Sequence, residues 1–425
     1  MTPWSLSLGA MIDGLADGSL TSRALVDAHL DRIHALDARL HAFTTVFDVE
    51  ARAAADRLDA ERAAGRARGP LHGVPVSVKE CFDMEGHPTT LGLRSRQSQR
   101  ASRDAALVTL FKEMGAVVLG RTNLSQTMLF AESRNPLFGQ TANPWSLRHS
   151  AGGSSGGEAA AVAAGMSPLG LGTDIGGSVR SPAAVRRGVE RAVDVLAAQG
   201  VTVVPFTPPG VPSLVADYLG ALSSDGGETL RAALGGDPPD PTLAPLLALA
   251  RLPDRGRVAL ARAASLVGQG RLGALLDAMG EKSVAELWRL TDRLRAWRFE
   301  LLDVLDRARI DALLCPAFAT PALPHGMSKN FTLASSTAIT WNAAQFPGGV
   351  VPVSRVRGDE TRRARALDAV ERHAAKVDAQ SAGLPVSVQV VGRPWQEPTV
   401  LALMAAVERG VSLDGDFPRT PVDPR

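Results

Sequence analysis

The sequence predicts an α/β fold, a β-sheet covered by helices on both faces. Short runs of β-branched and small residues recur along the chain, as in "GVPVSVKE" (73–80), "GAVVLGRTN" (115–123) and "LPVSVQVVG" (384–392). Between them lie stretches whose apolar residues repeat at helical spacing. The chain has 425 residues, 45% apolar and 21% charged, the make-up of a globular protein able to bury a large core. Strands interleaved with helices require cover on both sheet faces. With no internal repeat and no low-complexity linker, one domain spanning 1–425 is expected.

In chain order, residues 21–65 read as helix, with Thr21 or Ser22 as cap and Leu25, Leu30, Ile33 and Leu36 on one face. The strand 73–80 follows, ending on a lysine, then a helix over 104–114 and the strand within 115–123. Residues 135–150 show no period and read as loop. "EAAAVAAG" (158–165) is a helix with Gly165 near its C-cap, and "SPLGLGTDIGGSVR" (167–180) is a short strand entering a second glycine-rich loop. An amphipathic helix over 185–199 leads to "VTVVPF" (201–206), read as a strand. A helix-rich region over 242–307 precedes strands at "DALLCP" (311–316), "GGVVPVS" (348–354) and "LPVSVQVVG".

Composition narrows the function. A net charge of +2 gives no footprint for nucleic acid, and the basic cluster at 355–365 has no interleaved aromatics, so a solvated face is expected there. Two distant cysteines, Cys81 and Cys315, make no disulfide framework, and the eight histidines lack ligand spacing, so no metal site is expected. The N-terminal stretch has no basic start followed by an apolar core, and no run reaches the ~20 apolar residues of a spanning helix. A cytoplasmic location is the expectation.

The chemistry gathers at "SAGGSSGGEAAAVAAG" (150–165) and "GTDIGGS" (172–178). A phosphate loop would continue into a Lys-Ser/Thr pair, but Glu158 stands there and would repel phosphate. A nucleophile elbow matches Gly152-Gly153-Ser154-Ser155-Gly156 literally, yet no apolar strand precedes it, and neither His325 nor His373 has a suggestive context. The third reading joins both loops with Lys79. A serine needs a neighbour to take its proton, and a lysine can do so once burial disfavours its charged form. A second serine can relay the proton. The glycines of "TDIGGS" offer consecutive backbone N–H groups for an oxyanion.

These motifs resemble the amidase signature enzymes. "GVPVSVKE", "AGGSSGGEAAAVAAG" and "LGLGTDIGGSVR" carry the resemblance. "NPLFGQTANPW", "DGGETLRAAL", "FPGGVVPV" and "LPVSVQVVGRPWQE" bring it closest to the fatty-acid amide hydrolase branch, from about residue 73 to about 397. The resemblance implies a central twisted mixed β-sheet, and a hydrolase of N-acyl amides working through an acyl-serine, without cofactor or metal. It implies Ser178 as nucleophile, Ser154 as a relay following a cis peptide bond, and Lys79 as base. The N–H groups of Ile175, Gly176, Gly177 and Ser178 match the oxyanion hole. Ser155, Thr173, Asp174 and Arg180 match supporting positions, and Met128 a residue lining the scissile amide.

The chain departs from the family pattern just after Arg180. A Pro-Ala-rich turn should lead to further helix and strand before "AAQGVTVVPF", but "SPAAVRRGVERAVDVLAAQG" follows at once. An internal segment near 180–185 is therefore expected to be missing, which leaves a catalytically impaired, ligand-binding remnant as the rival reading. A hydrolase of small or aryl amides is a second alternative. Residues 256–280 fall where the branch has a membrane-meeting helical cap. Val258, Leu260, Leu266, Val267, Leu272, Leu275 and Leu276 with Arg257, Arg262 and Arg271 would suit a peripheral membrane contact, an ordinary surface helix pair being the alternative. The substrate is then a small-molecule or lipid amide, and a homodimer is the base-rate expectation.

Overall fold

The computed structural model describes residues 2–175, 186–331, 335–363, 366 and 368–425. Two compact units emerge: Met1–Asp174 with Gly236–Asp240 and Arg419–Arg425, and Ile175–Gly235 with Pro241–Pro418.

The first unit is built on a mixed sheet of β1 (Phe43–Val46), β2 (Pro75–Lys79), β3 (Val117–Thr122) and β4 (Gly170–Leu171), in the order β1-β3-β2-β4. β1 runs antiparallel to β3, while β2 is parallel to both β3 and β4. A strand between two parallel neighbours must be covered on both faces, and every residue of β2 is buried, Lys79 included. Helices α1 (Ser22–Leu40) and α2 (Asp48–Ala63) supply Val26, Leu30, Ile33, Ala51, Ala55 and Leu58 to one core with Val117 and Leu119. A second cluster holds Met11, Leu15, Leu25, Val74 and Val76. Helix α3 (Ala106–Glu113) precedes β3, and α4 (Gly156–Ala163) follows the first glycine-rich loop, packing Ala160 and Ala161 into the first cluster.

The single helix expected over 21–65 is instead two helices with β1 between them. The break has a local cause. His41 adopts φ 50°, and the Asp37 carboxylate accepts from the N–H of Ala42 at 2.7 Å and of Phe43 at 3.2 Å, ending the helix. "FTTV" is then better satisfied against β3 than as helix. Residues 135–150, expected as loop, contain short antiparallel pairs: Arg134–Asn135 with Gly139–Gln140, and Ala142–Asn143 with Ser146–Ser150.

The second unit holds an antiparallel sheet of β5 (Ala312–Pro316), β6 (Gly348–Arg355) and β7 (Pro385–Gly392), in the order β6-β7-β5. Side chains alternate across β7. Val386 and Val388 meet Ala192 and Leu196 of α5 (Arg186–Ala198), while Val391 joins a cluster with Trp297, Leu301 and Leu305. Those three lie on α7 (Val284–Ala308), which starts with a Ser283–Glu286 capping box and packs Leu301 and Leu305 with Leu214 of α6 (Val211–Leu222). "VTVVPF", expected as a strand, pairs with no strand among the described residues, and Val201, Val203 and Val204 are exposed. β-propensity without a partner edge leaves an unladdered segment.

Residues 256–280 fall within a helix pair, Asp254–Leu266 and Gly270–Ala278, broken at Gly268 with φ 77°. Leu266 and Val267 at the turn are 87% and 73% exposed. Arg257 does not face solvent as expected. It is buried, pairs with Asp254 at 2.8 Å and donates to the Leu276 carbonyl at 3.1 Å. No helix among the described residues is long and apolar enough to cross a membrane.

Candidate active site

Lys79 ends β2, and the parallel pairing sets it beside Thr122, with Ser77 two residues back on the same sheet face beside Gly170. Its side chain is wholly buried. The Nζ group lies 2.7 Å from Ser154 Oγ, 2.8 Å from Ser155 Oγ and 2.7 Å from Thr173 Oγ1. Three hydroxyls and no carboxylate surround the amine within ion-pair range among the described residues. Desolvation therefore dominates and lowers the Lys79 pKa to about 8, against the opposing pull of Cys81, Glu158 and Asp174. A pKa brought this close to neutrality lets the amine both take and give up a proton, as a base requires.

The glycines flanking the two serines have no room for a side chain. The Gly153–Ser154 peptide is cis. A Cβ on Gly153 would come 2.5 Å from the Glu132 nitrogen, and one on Gly157 would come 2.4 Å from the Asn123 nitrogen. Ser133 Oγ donates to the Ser154 carbonyl at 3.1 Å and accepts from the Gly156 N–H at 2.6 Å, bracing the loop from behind. Ser155 Oγ donates to the Thr173 carbonyl at 3.1 Å and accepts the Thr173 N–H at 3.3 Å, which ties the two glycine-rich loops together.

Of the positions expected from sequence, Lys79, Ser154, Ser155 and Thr173 converge. Met128 joins them through its sulfur, 3.9 Å from Thr173 Oγ1, and sits at φ 61° in a stretch where Thr127 and Phe130 also adopt positive φ. Asp174 acts on Lys79 through space, favouring its charged form. Ile175 is exposed, and its carbonyl accepts from the Tyr218 hydroxyl at 2.9 Å. Gly176, Gly177, Ser178 and Arg180, with the junction at 180–185, lie outside the described residues.

Sequence reading misses Glu158, Ser77 and Thr122. In the bare sequence Glu158 counts only against a phosphate loop. Its carboxyl is buried, accepts from Ser77 Oγ at 2.5 Å and from Thr122 Oγ1 at 2.7 Å, and burial raises its pKa to about 7. The available signal is the alternation of β2, which puts Ser77 on the face of Lys79. Cys81 also escapes a reading for catalysis. Burial pushes its thiol pKa up, with Lys79 drawing it down. On the opposite face, Glu80 accepts from the N–H groups of Thr90 at 2.6 Å and Leu91 at 2.9 Å. There Arg121 donates to the carbonyls of Glu80, Pro88 and Phe82, fixing the turn after β2.

A family model described as "Amidase" matches residues 24–186 and 184–401. The chain belongs to the amidase signature family. As a member it is an amidohydrolase acting on carboxamide C–N bonds. It is 30% identical to fatty-acid amide hydrolase 1 of Sus scrofa, the match covering 95% of this chain and 86% of that protein. It is 26% identical to fatty acid amide hydrolase 1 of Caenorhabditis elegans, over 96% of this chain and 88% of the relative. Among solved structures, a fatty acid amide hydrolase superposes with a TM-score of 0.81 at 20% identity, covering 97% of this chain and 86% of that one. The peptide amidase of Stenotrophomonas maltophilia gives 0.68 at 21%, covering 98% and 99%. The fold is thus the amidase signature fold. The family match falls into two pieces that meet at residues 184–186. The alignment with the Sus scrofa protein runs over 507 residues, more than this whole chain, so that relative contains stretches with no counterpart here.

Proposed function

We propose that this amidohydrolase cleaves N-acyl amides, with a long apolar acyl chain as the leading substrate class, through an ester on Ser178. The observation that carries the reading is a wholly buried lysine 2.7 Å from Ser154 Oγ with its pKa lowered to about 8. In this mechanism Ser178 Oγ attacks the amide carbonyl carbon while its proton passes to Ser154 Oγ and the Ser154 proton passes to neutral Lys79. The N–H groups of Ile175, Gly176, Gly177 and Ser178 bind the oxyanion. Collapse breaks the C–N bond, and Lys79 returns a proton through Ser154 to the leaving amine. Water, deprotonated by the same relay, then releases the acid. Ser155 and Thr173 hold the amine in line, Asp174 and Arg180 support the loops, and Met128 lines the scissile amide. The similarity to fatty-acid amide hydrolase 1 over most of both chains supports the acyl class. The exposed apolar turn at Leu266 and Val267 supports peripheral contact with a lipid surface, where such a substrate would be collected.

A second reading, a remnant that binds amides without turnover, is favoured by the break of the family match at 184–186, close behind Ser178. A fluorophosphonate probe separates the two. Labelling lost in Ser178→Ala supports the enzyme, and folded but unlabelled wild type supports the remnant. Hydrolysis rates that climb with acyl length support the lipid class, and rates indifferent to it favour small or aryl amides.

A further inference from the structure

We propose that Glu158 is a positioning residue for Lys79, a buried carboxyl anchored to the lysine's own strand and to its paired neighbour so that it governs the amine's protonation. The proposal deepens the catalytic reading above and rests on Lys79 acting as base.

The anchoring is geometric. Glu158 lies in the first turn of α4, three residues after Ser155, so one short segment carries two of the amine's three hydroxyl partners and the carboxyl. Its two oxygens are taken by Ser77, on the lysine's strand and face, and Thr122, the residue paired with Lys79 in β3. The third strand offers no alternative position. A Cβ on Gly170 would lie 1.9 Å from Glu158 Oε2, so β4 is bare where the carboxyl sits. The carboxyl is thus anchored to two of the strands that cradle Lys79 and given room by the third, yet it stays outside ion-pair distance, leaving Nζ to the hydroxyls.

That arrangement has a chemical consequence. A buried carboxylate that touched the amine would lock it as ammonium and abolish a base. One held further off stabilises the ammonium only partly, so the lysine can both take and return a proton. The groups facing Lys79 are Ser154 and Ser155 from the loop before α4, Thr173 and Asp174 after β4, Cys81 after β2, and Glu158. Those facing Glu158 are Ser77, Thr122 and Lys79. Glu80 and Arg121 belong to the other face. Two hydroxyl donors favour the charged carboxylate against its burial. Ser77 and Thr122 therefore act on the lysine at one remove.

The sequence makes the test direct, because the chain contains five lysines: Lys79, Lys112, Lys282, Lys329 and Lys376. Side-chain NMR titration of lysine-labelled full-length protein, assigned with Lys79→Met, reads the Lys79 pKa without any need for turnover. Glu158→Gln keeps the size and one acceptor oxygen, its NH2 donating to the other hydroxyl, which must turn to accept, and removes the charge. The expected result is a fall of about one unit in the Lys79 pKa, a tenfold change in the neutral fraction on the acid side. The acid limb of the kcat/KM profile should move the same way, with KM little changed. An unmoved Lys79 titration in folded Glu158→Gln overturns the proposal. Should that variant not fold, Ser77→Ala serves, since losing one donor raises the carboxyl pKa and moves Lys79 in the same direction by less. No movement there overturns it equally. A shifted titration in a protein that no fluorophosphonate labels would sink the catalytic reading and leave the Glu158–Lys79 coupling standing. Labelling with an unmoved titration would do the reverse.

Discussion

The sheet of the first unit is surrounded by Lys79, Glu80, Arg121 and Glu158, all buried, whereas that of the second is flanked by Val351, Val353, Val386, Val388 and Val391. The residues named in both sets are buried, so the contrast between them is one of chemistry and not of exposure. Taking a charge out of water costs several kcal/mol unless partners compensate, and aliphatic side chains of similar volume would hold a sheet at least as well. Such an interior is therefore kept for what it does. Each of these side chains has specific partners: hydroxyls for Lys79 and Glu158, backbone N–H groups for Glu80, carbonyls for two of the three Arg121 nitrogens. In the second unit β7 carries no charged residue at all, and its buried Gln389 donates its amide to the Cys315 sulfur at 3.3 Å.

Substitutions in each unit should separate chemistry from stability. The largest effect is expected for Lys79→Met, which fills the volume but removes the proposed base. Amide hydrolysis should fall about a thousandfold, within the range for losing a general base, while Tm holds or rises. A matching collapse of Tm would mean the polar interior holds the fold together after all. Leu301→Ala in the second unit should do the opposite. Leu301 is wholly buried, so its loss should cost about 3 kcal/mol in denaturant unfolding without moving the pH dependence of catalysis. A changed pH profile would break the contrast.

Next comes His29, buried in the first unit with Nδ1 3.1 Å from the Gly165 carbonyl. Burial lowers its pKa from 6.5 to about 4. Between those values the unfolded chain binds a proton that the folded one refuses, so stability should fall as pH drops from 6.5 towards 4. The full effect is on the order of 3 kcal/mol, and His29→Gln should flatten that part of the stability–pH curve. An unchanged slope would assign the acid sensitivity to other groups. The smallest effect belongs to the surface of the second unit, where Arg293 pairs with Asp217 at 2.6 Å with half its side chain exposed. Arg293→Ala should cost less than about 1 kcal/mol and nothing in rate.

Much of this was legible in the residues. β-branched runs marked β2, β3, β5, β6 and β7, and the motifs around Lys79, Ser154 and Ser178 carried the resemblance; of those three, Lys79 and Ser154 meet among the described residues. The misreadings share a cause. Helical spacing over 21–65 was real, but the Asp37 carboxylate captures the N–H groups of Ala42 and Phe43 and stops the helix. "VTVVPF" has the composition of a strand and lacks a neighbour.

The sequence by itself determined the family, the identity of the base and relay candidates, and the glycines that let the serine loop pass Glu132 and Asn123. Only the tertiary structure decided that Lys79 is fully desolvated, that three hydroxyls from two loops converge on it, and that Glu158 stands behind it as a held-off carboxyl. Those facts depend on water being excluded by segments 75 to 94 residues away along the chain. Local pattern names the residue type, but the dielectric and the charges around an amine are set by whatever else folds against it.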